Sequence, residues 1–336
     1  MKINKPFLIF VSIAIAAIAY FAWKGSFRAL NITVMPSFYY FKTTGSYKDF
    51  EPQLSKDFPK HRIYQKILDI TDNFYPAAIN NVEAGIQGDV EVVPTVYIRN
   101  NCFSYIDSQA VVVNAARIIK GLKGNPTELQ IDCDWTTDTK ETYFYFLKML
   151  KKAAPNITLS ATIRLYPFKY QTIMGVPPVD RGMLMFYNVS KMNDIATKNA
   201  ILDISEAEKY MTVSYPLPLD VALPIFAQSE VFRNGKMIAL LRAFDPTMAA
   251  QQSYLKKDES NRFTFQNDTL VQGQFFRIGD QLRAEDVSNE TLKAAVGLAT
   301  RAVKSNSKIN VALYHLDESV LQRYSMDDFK NIFNRF

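Results

Sequence analysis

Alternating apolar and polar residues along the chain predict eight β-strands. These runs combine a two-residue period with β-branched residues, the features that mark half-buried strands. They begin at Ile32, Arg62, Glu91, Glu128, Ile157, Gly182, Val221 and Ile309. The first seven starts are spaced closely enough for one strand, one loop and one helix in each interval. Such a repeating order predicts a (β/α)8 TIM barrel, in which helices surround a closed parallel sheet.

Helical periodicity fills several of the gaps between the strands. The clearest helix is predicted over 139–154, where Pro155 ends it. Its apolar face consists of Tyr143, Phe146, Leu147 and Leu150. Further helices are predicted over 108–122 and 205–211.

The interval between the seventh and eighth strands is 88 residues long and breaks this pattern. Asn234-Gly235 lies there between two apolar runs, which is a strong signal for a two-residue β-hairpin. We predict a β-rich lobe over 230–285, inserted into a barrel that extends over 29–336. Without the lobe, the barrel has about 250 residues, the usual size for this fold.

The first 28 residues differ from the rest of the chain. Lys2 and Lys5 precede an uncharged apolar run over 6–23. This run is just long enough to span a bilayer as a helix. Residues 1–28 are therefore predicted to be a signal anchor in the membrane or a cleaved signal peptide, with the rest of the chain outside the cytoplasm. Because the run continues through Trp23, an uncleaved anchor is favoured.

Composition narrows the chemistry further. Hydrophobic residues make up 48% of the chain and charged residues 21%, which excludes a mainly disordered protein. The net charge of +6 is not concentrated in one segment, so we expect no nucleic-acid partner. With two histidines and two cysteines, we expect no metal and no other cofactor. The sequence does not decide whether Cys102 and Cys133 form a disulfide.

Polar side chains are predicted to enter the barrel lumen on two neighbouring strands. On the fourth strand, alternation turns Asp132, Asp134 and Thr136 inward, and on the fifth it turns Arg164 inward. Active sites of TIM barrels lie at the carboxyl ends of the strands. Asp132 and Asp134 are therefore the candidate catalytic residues. A buried Asp–Arg pair that only stabilises the barrel is the alternative.

Other strand ends supply candidate contacts to a substrate. Alternation turns His315, at the end of the eighth strand, away from the lumen, so it is left out of the predicted site. Glu230 is considered as an acid that a loop could supply. The predicted substrate-binding residues are Arg164, Tyr187, Asn188, Gln228, Trp135 and Arg99.

Two short motifs resemble those of family 18 glycoside hydrolases, the chitinases and their relatives. DCDW at 132–135 resembles the end of that family's strand-four signature, and MFYN at 185–188 resembles its strand-six motif. The inserted lobe also lies where many of those enzymes carry an extra domain. The resemblance implies a TIM barrel that acts on or binds a polysaccharide or another glycan.

The chain departs from that family at two positions. The family's catalytic Glu is Thr136 here, and its strand-six Asp is Asn188. A threonine hydroxyl cannot protonate a glycosidic oxygen as a carboxylic acid does. Three alternatives follow: Asp134 is the acid with Asp132 as its partner, Glu230 supplies the acid, or the barrel is a non-catalytic module that binds a glycan or a protein partner.

A second resemblance covers nearly all of the chain after the N-terminal segment. Residues 175–188 and 215–224 resemble a family of bacterial envelope barrels common in Bacteroidetes, which carries little functional information. It implies a protein of the bacterial cell envelope. The barrel is then expected in the periplasm, anchored in the inner membrane, or secreted if the N-terminus is cleaved.

Overall fold

The structure is a computed structural model that describes residues 32–42, 46–71, 84–303 and 308–336. The predicted anchor over 6–23 lies outside the described residues. Within the described ranges, no helix has the length and apolar character needed to cross a bilayer.

The described chain contains seventeen strands and ten α-helices. The strands are β1 (Thr33–Tyr40), β2 (His61–Ile70), β3 (Ala84–Gln87), β4 (Val90–Ile98), β5 (Gly124–Asn125), β6 (Glu128–Asp132), β7 (Thr158–Arg164), β8 (Arg181–Met185), β9 (Leu219–Pro224), β10 (Gln228–Arg233), β11 (Lys236–Arg242), β12 (Leu255–Lys257), β13 (Arg262–Phe265), β14 (Thr269–Val271), β15 (Gln274–Phe276), β16 (Gln281–Glu285) and β17 (Lys308–Tyr314). The helices are α1 (Glu51–Asp57), α2 (Ser108–Gly121), α3 (Lys140–Ala153), α4 (Leu165–Lys169), α5 (Gln171–Met174), α6 (Ile204–Glu208), α7 (Pro246–Ala250), α8 (Asn289–Val303), α9 (Glu318–Arg323) and α10 (Met326–Phe333).

Eight parallel strands close into a barrel, as the sequence predicts. Their order is β1-β2-β4-β6-β7-β8-β9-β17, and β17 pairs with β1 to complete the ring. The short strands β3 and β5 extend the sheet beside β4. Each of the eight predicted strands is present within two residues of its expected start. The prediction works because period-2 alternation is a local property of each strand.

Helix α3 shows why the helical shell packs as predicted. It begins at Lys140 and ends at Ala153, just before Pro155. The apolar residues of its predicted face are all buried against the barrel: Tyr143, Phe146, Leu147 and Leu150.

Paired polar groups fill the lower part of the barrel lumen. The Glu128 carboxylate lies 2.8 Å from Arg62 and accepts a 2.6 Å hydrogen bond from Ser160. Asp220 is held by Arg181 at 2.6 Å and by the Asn310 side chain at 2.8 Å. Because these buried charges have partners, this polar layer is stable within the barrel. The cavity opens above it.

The segment between β9 and α8 forms a second, antiparallel sheet with its own apolar core. Its strand order is β11-β10-β16-β13-β12, and β14 and β15 form a separate hairpin. Asn234 and Gly235 join β10 to β11 with φ angles of 51° and 73°, the left-handed conformation that a tight hairpin turn of this type requires. The core includes Val231, Leu241, Phe263, Phe265 and Leu282.

A buried arginine ties this lobe to the barrel loop that follows β8. Arg283 of β16 is fully buried and donates to the backbone carbonyls of Met192 and Asp194 at 2.9 and 2.6 Å. Its guanidinium also lies 2.6 Å from Glu285 and 3.3 Å from Glu230. Because a buried cation needs both charge and hydrogen-bond partners, this cluster determines where the lobe sits.

Candidate active site

A cavity of about 760 Å³ opens at the carboxyl ends of the barrel strands, beside β10 and β11 of the lobe. Each of the eight barrel strands contributes a lining residue at its end or just after it. Six of the predicted site residues line this cavity: Asp132, Asp134, Arg164, Tyr187, Asn188 and Gln228. The fold therefore brings together residues that are up to 96 positions apart in the sequence.

Asp132 is the last residue of β6 and lies at the floor of the cavity. Thr162 of the neighbouring strand β7 donates a 2.7 Å hydrogen bond to its carboxylate. Burial, followed by the negative charge of Asp134, raises the pKa of Asp132 to about 7. A carboxyl group with such a pKa exchanges a proton near neutral pH, which is the requirement for general acid–base chemistry.

Asp134 lies nearer the solvent and pairs with a cation. One of its oxygens is 2.9 Å from the Arg164 guanidinium, and the two side chains are 55% and 41% exposed. Such an exposed pair contributes little to stability. The two aspartates thus have different surroundings, one carboxyl group half-buried with a raised pKa and the other ion-paired.

Aromatic rings form one wall of the cavity. Tyr187 stacks on Tyr314 with ring centroids 5.2 Å apart, and Phe226 meets both rings edge-on. Burial raises the pKa of both tyrosines, so their hydroxyl groups stay protonated at neutral pH. Flat aromatic faces with a polar rim are suited to binding a ring that is apolar on its face and polar at its edge.

Asn188 and Gln228 are held in place by bonds to other parts of the fold. Asn188 has a φ of 55°, and its backbone N–H donates to the carbonyl of Ile201 at 2.7 Å. The Gln228 side chain donates to Glu230 at 2.7 Å. Both cavity residues therefore depend on the region where the lobe meets the barrel.

Two predicted substrate contacts do not line the cavity. Trp135 is 3% exposed, its indole N–H donates to the carbonyl of Met174, and its ring stacks on Tyr143 of α3. It belongs to the helical shell, and the structure does not bring it to the cavity with the other predicted contacts. Arg99 follows β4 and is exposed. Burial, followed by the charges of Asp132 and Asp134, raises the pKa of Tyr97 at the cavity wall, and the Arg99 charge opposes that rise.

Strand alternation is wrong for Thr136 and His315 because both lie beyond a strand end. β6 ends at Asp132, so the exposed Thr136 contacts Thr139 at the start of α3 instead of entering the lumen. β17 ends at Tyr314, and His315 lines the cavity although alternation turns it outward. Its imidazole lies 3.7 Å from Asp317.

Glu230 cannot serve as a loop-borne acid. It lies within β10, fully buried, with Gln228 and Arg283 as partners, and it does not line the cavity. Burial raises its pKa. No glutamate lines the cavity among the residues that the structure describes.

The sequence reasoning missed several cavity residues on other strand ends and on the lobe. Lys66 and Asp69 of β2 form an ion pair at 2.9 Å within the cavity wall. Further lining residues outside the predicted set are Lys42, Tyr97, Arg242, Tyr314 and Asp317. On β2 the polar residues Lys66 and Asp69 are three apart, and a register shift between Lys66 and Leu68 hides their common facing from simple alternation.

The described residues contain neither a cluster of metal-binding side chains nor a disulfide. Within those ranges, no three His, Cys, Asp or Glu side chains are grouped closely enough to hold a metal ion. Cys102 and Cys133 are both buried, and no disulfide joins them.

Solved structures with a similar fold include two spore cortex-lytic enzymes named SleL. The Bacillus cereus enzyme aligns with 91% of this chain and 75% of its own, with a TM-score of 0.54 and 12% identity. The Bacillus megaterium QM B1551 enzyme gives the same coverage, with a TM-score of 0.52 and 11% identity. ICChI chitinase from Ipomoea carnea aligns with 90% of this chain and 100% of its own, with 12% identity and a TM-score of 0.44.

No protein-family model matches this chain, and neither does any curated protein. The first two structural alignments show a shared barrel fold. The predicted distant resemblance to chitinase-like barrels is thus confirmed at the level of the fold.

Proposed function

We propose that this protein is a glycoside hydrolase that cleaves an envelope or extracellular polysaccharide in the cavity at the barrel mouth. The observation that carries the proposal is the pair Asp132 and Asp134, because these carboxyl groups lie side by side with different surroundings. Asp132 has a pKa of about 7 and Asp134 faces Arg164. Carboxyl groups in contrasting environments are the arrangement by which glycosidases separate acid and base roles.

Asp132 is the proton donor in this proposal. Its protonated carboxyl group gives a proton to the glycosidic oxygen as the bond from that oxygen to the anomeric carbon breaks. The Asp134 carboxylate stabilises the positive charge that develops on the sugar ring. Water then adds to the anomeric carbon, and its proton returns to the Asp132 carboxylate, which completes the cycle.

The remaining lining residues hold the sugar during this reaction. The stacked pair of Tyr187 and Tyr314, with Phe226, offers an aromatic wall against which a sugar ring packs. Asn188 and Gln228 offer amide groups at the wall. The fold neighbours named as cortex-lytic enzymes support a lytic activity, and the motif resemblance to family 18 enzymes supports a glycan substrate.

The first prediction tests this assignment with Asp132→Asn and Asp134→Asn in the full chain. Reducing ends released from peptidoglycan, chitin oligosaccharides and acidic polysaccharides are measured. We expect Asp132→Asn to lower the rate at least about 100-fold, because an amide cannot donate the proton. With Asp132 as the acid, the wild-type rate falls as the pH rises above about 7.

Trp135→Phe is the matched control, since Trp135 lies outside the cavity. It is expected to keep the wild-type rate. Thermal unfolding of each variant verifies that the fold is retained. An Asp132→Asn variant that is folded and fully active contradicts the assignment.

A second candidate function is glycan binding without cleavage. The position and surroundings of Thr136 favour it, because the residue that replaces the family's catalytic Glu is turned out of the cavity. This candidate predicts saturable binding of a glycan, measured by calorimetry, with no reducing ends released over long incubation. The same substrate panel therefore separates the two functions.

The N-terminal run over 6–23 supports a place in the bacterial envelope. We propose that it exports the chain and anchors it in the inner membrane, with the barrel in the periplasm. β1 begins at Thr33, at the opposite end of the barrel from the cavity. Protease protection of the barrel in spheroplasts, where the periplasmic face is open, would contradict this topology.

A further inference from the structure

The charges that line the cavity are not evenly compensated. Two of its acidic residues have close cationic partners, Asp134 with Arg164 and Asp69 with Lys66, both at 2.9 Å. Asp132 holds a proton for part of the time at neutral pH. In contrast, Lys42 and Arg242 have no ion-pair partner among the described residues. Within the described part of the chain, Asp317 is the one further carboxylate that lines the cavity, so one negative charge faces these two positive charges.

Arg242 is held at the mouth by the lobe. It is the last residue of β11 and lies directly opposite Gln228 of β10. The side chain of Gln272 accepts from its backbone N–H and donates to its carbonyl, at 3.2 and 2.8 Å. The backbone is thus fixed while the guanidinium stays exposed at the cavity. Such a preformed donor group is typical of a recognition site.

Lys42 approaches the same part of the cavity from the barrel. It follows β1 and lines the cavity together with Arg242 and His315. Burial lowers the pKa of His315, and the charges of Lys42 and Arg242 lower it further, so both cations act on the same ring. Asp317 also lines this part of the cavity, 3.7 Å from His315. One of its oxygens accepts bonds from Val320 and Ser319 at the start of α9. Its single negative charge offsets one of the two positive charges of Lys42 and Arg242.

We propose that Lys42 and Arg242 form an anion-recognition subsite and that the glycan bears a carboxylate or phosphate group. This inference rests on the proposed function and names the substrate class. An arginine binds either oxyanion through paired N–H donors, and a lysine adds a second positive charge. The anionic group would lie beside Tyr314, whereas the bond to be cleaved lies at Asp132. The glycan would therefore bind in one direction.

The second prediction compares the affinities of three matched oligosaccharides of equal length. One is neutral, one carries a uronic acid and one carries a phosphate ester. Binding is measured by calorimetry with the full chain carrying Asp132→Asn, so that no substrate is consumed. We expect the anionic ligands to bind about 10- to 100-fold more tightly than the neutral one. The stronger of the two distinguishes a carboxylate from a phosphate.

Substitutions then test the two cations. Arg242→Gln and Lys42→Gln are each expected to lower the preference for the anionic ligand about 10-fold. Arg277→Gln is the matched control, because Arg277 is an exposed arginine of the same lobe outside the cavity. It should leave the preference unchanged. Using two independent variants keeps the test decisive if one of them fails to fold.

The outcomes separate this inference from the proposed function. Equal affinity for neutral and anionic glycans, together with cleavage by the wild-type chain, overturns the subsite and leaves the hydrolase assignment standing. An anionic preference that survives both substitutions also overturns it. If no glycan of any class is bound or cleaved, both proposals fail.

Discussion

Asp132 and Asp134 show how strongly a residue's chemistry depends on its surroundings. They have identical side chains and lie two residues apart on the same side of the chain. Asp132 is partly buried against Thr162, and its pKa rises to about 7. Asp134 reaches solvent and pairs with Arg164. The motif therefore identifies the pair, whereas only the fold decides which member carries the proton.

The third prediction concerns the stability of Asp132→Asn. In the folded chain Asp132 keeps its proton up to about pH 7, whereas its ordinary value is 3.8. Holding this proton in the folded state stabilises the protein fully below pH 3.8. This stabilisation is lost progressively as the pH rises from 3.8 to about 7. The variant has no such loss. The difference in the free energy of unfolding, variant minus wild type, should therefore be up to about 4 kcal/mol larger at pH 8 than at pH 4.

Urea unfolding at the two pH values measures this gain. Asp138→Asn is the control, because Asp138 is exposed and lies outside the cavity. It should change the stability by less than about 0.5 kcal/mol at either pH. An equal difference between Asp132→Asn and wild type at both pH values would show that burial does not hold the proton there.

Whether a side chain's facing could be predicted depends on whether the residue lies within a strand or beyond its end. Alternation correctly turned Asp132 and Arg164 toward the lumen, since both lie within or at the end of a strand. Thr136 and His315 lie past a strand end, where the backbone leaves the pleat and alternation no longer applies. Trp135 lies between Asp134 and Thr136, and its side chain points to the helical shell, where it contacts Met174 and Tyr143.

At the level of elements, one buried cluster controls the loop that follows β8. Arg283 holds the carbonyls of Met192 and Asp194, and Glu285 accepts from the backbone N–H of Ala200. The same loop contains Asn188, which lines the cavity. A cluster remote from the chemistry thus positions part of the cavity wall.

The fourth prediction is that Arg283→Leu destabilises the protein by about 3–5 kcal/mol. The substitution leaves Glu230 and Glu285 buried without their cation, and breaking a buried pair from one side carries that cost. Arg301→Leu is the control, because its pair with Glu208 is 57% and 59% exposed. It should cost less than about 1 kcal/mol. Equal costs for the two variants would contradict a structural role for the cluster.

In the whole molecule, two separate apolar cores are joined by polar contacts. The barrel and the lobe each bury a separate hydrophobic cluster. Polar contacts join them: Asn199 donates to the Asp286 carbonyl at 2.8 Å, and Arg262 donates to the Thr197 carbonyl at 3.2 Å. With the Arg283 cluster, these bonds couple the lobe to the barrel.

The fifth prediction is that the wild-type chain unfolds in one calorimetric transition, because the lobe and the barrel loop depend on each other. Arg283→Leu removes the central link and should separate the transition into two. Arg301→Leu should still unfold in one. Two transitions in the wild type would show that the two cores are independent.

Local pattern was sufficient for the architecture of this protein. Eight strands, the helices α2 and α3 and the Asn234-Gly235 turn follow from side-chain periods and backbone preferences, which act over a few residues and need no knowledge of the fold. The same alternation predicts that Asp132 faces the lumen, where the structure places it.

Only the tertiary structure decided what surrounds that carboxyl group. Lys66, Arg242 and His315 reach the cavity from distant segments, and no local pattern specifies which of these segments meet. The proton on Asp132 likewise depends on burial, which is a property of the assembled barrel and lobe.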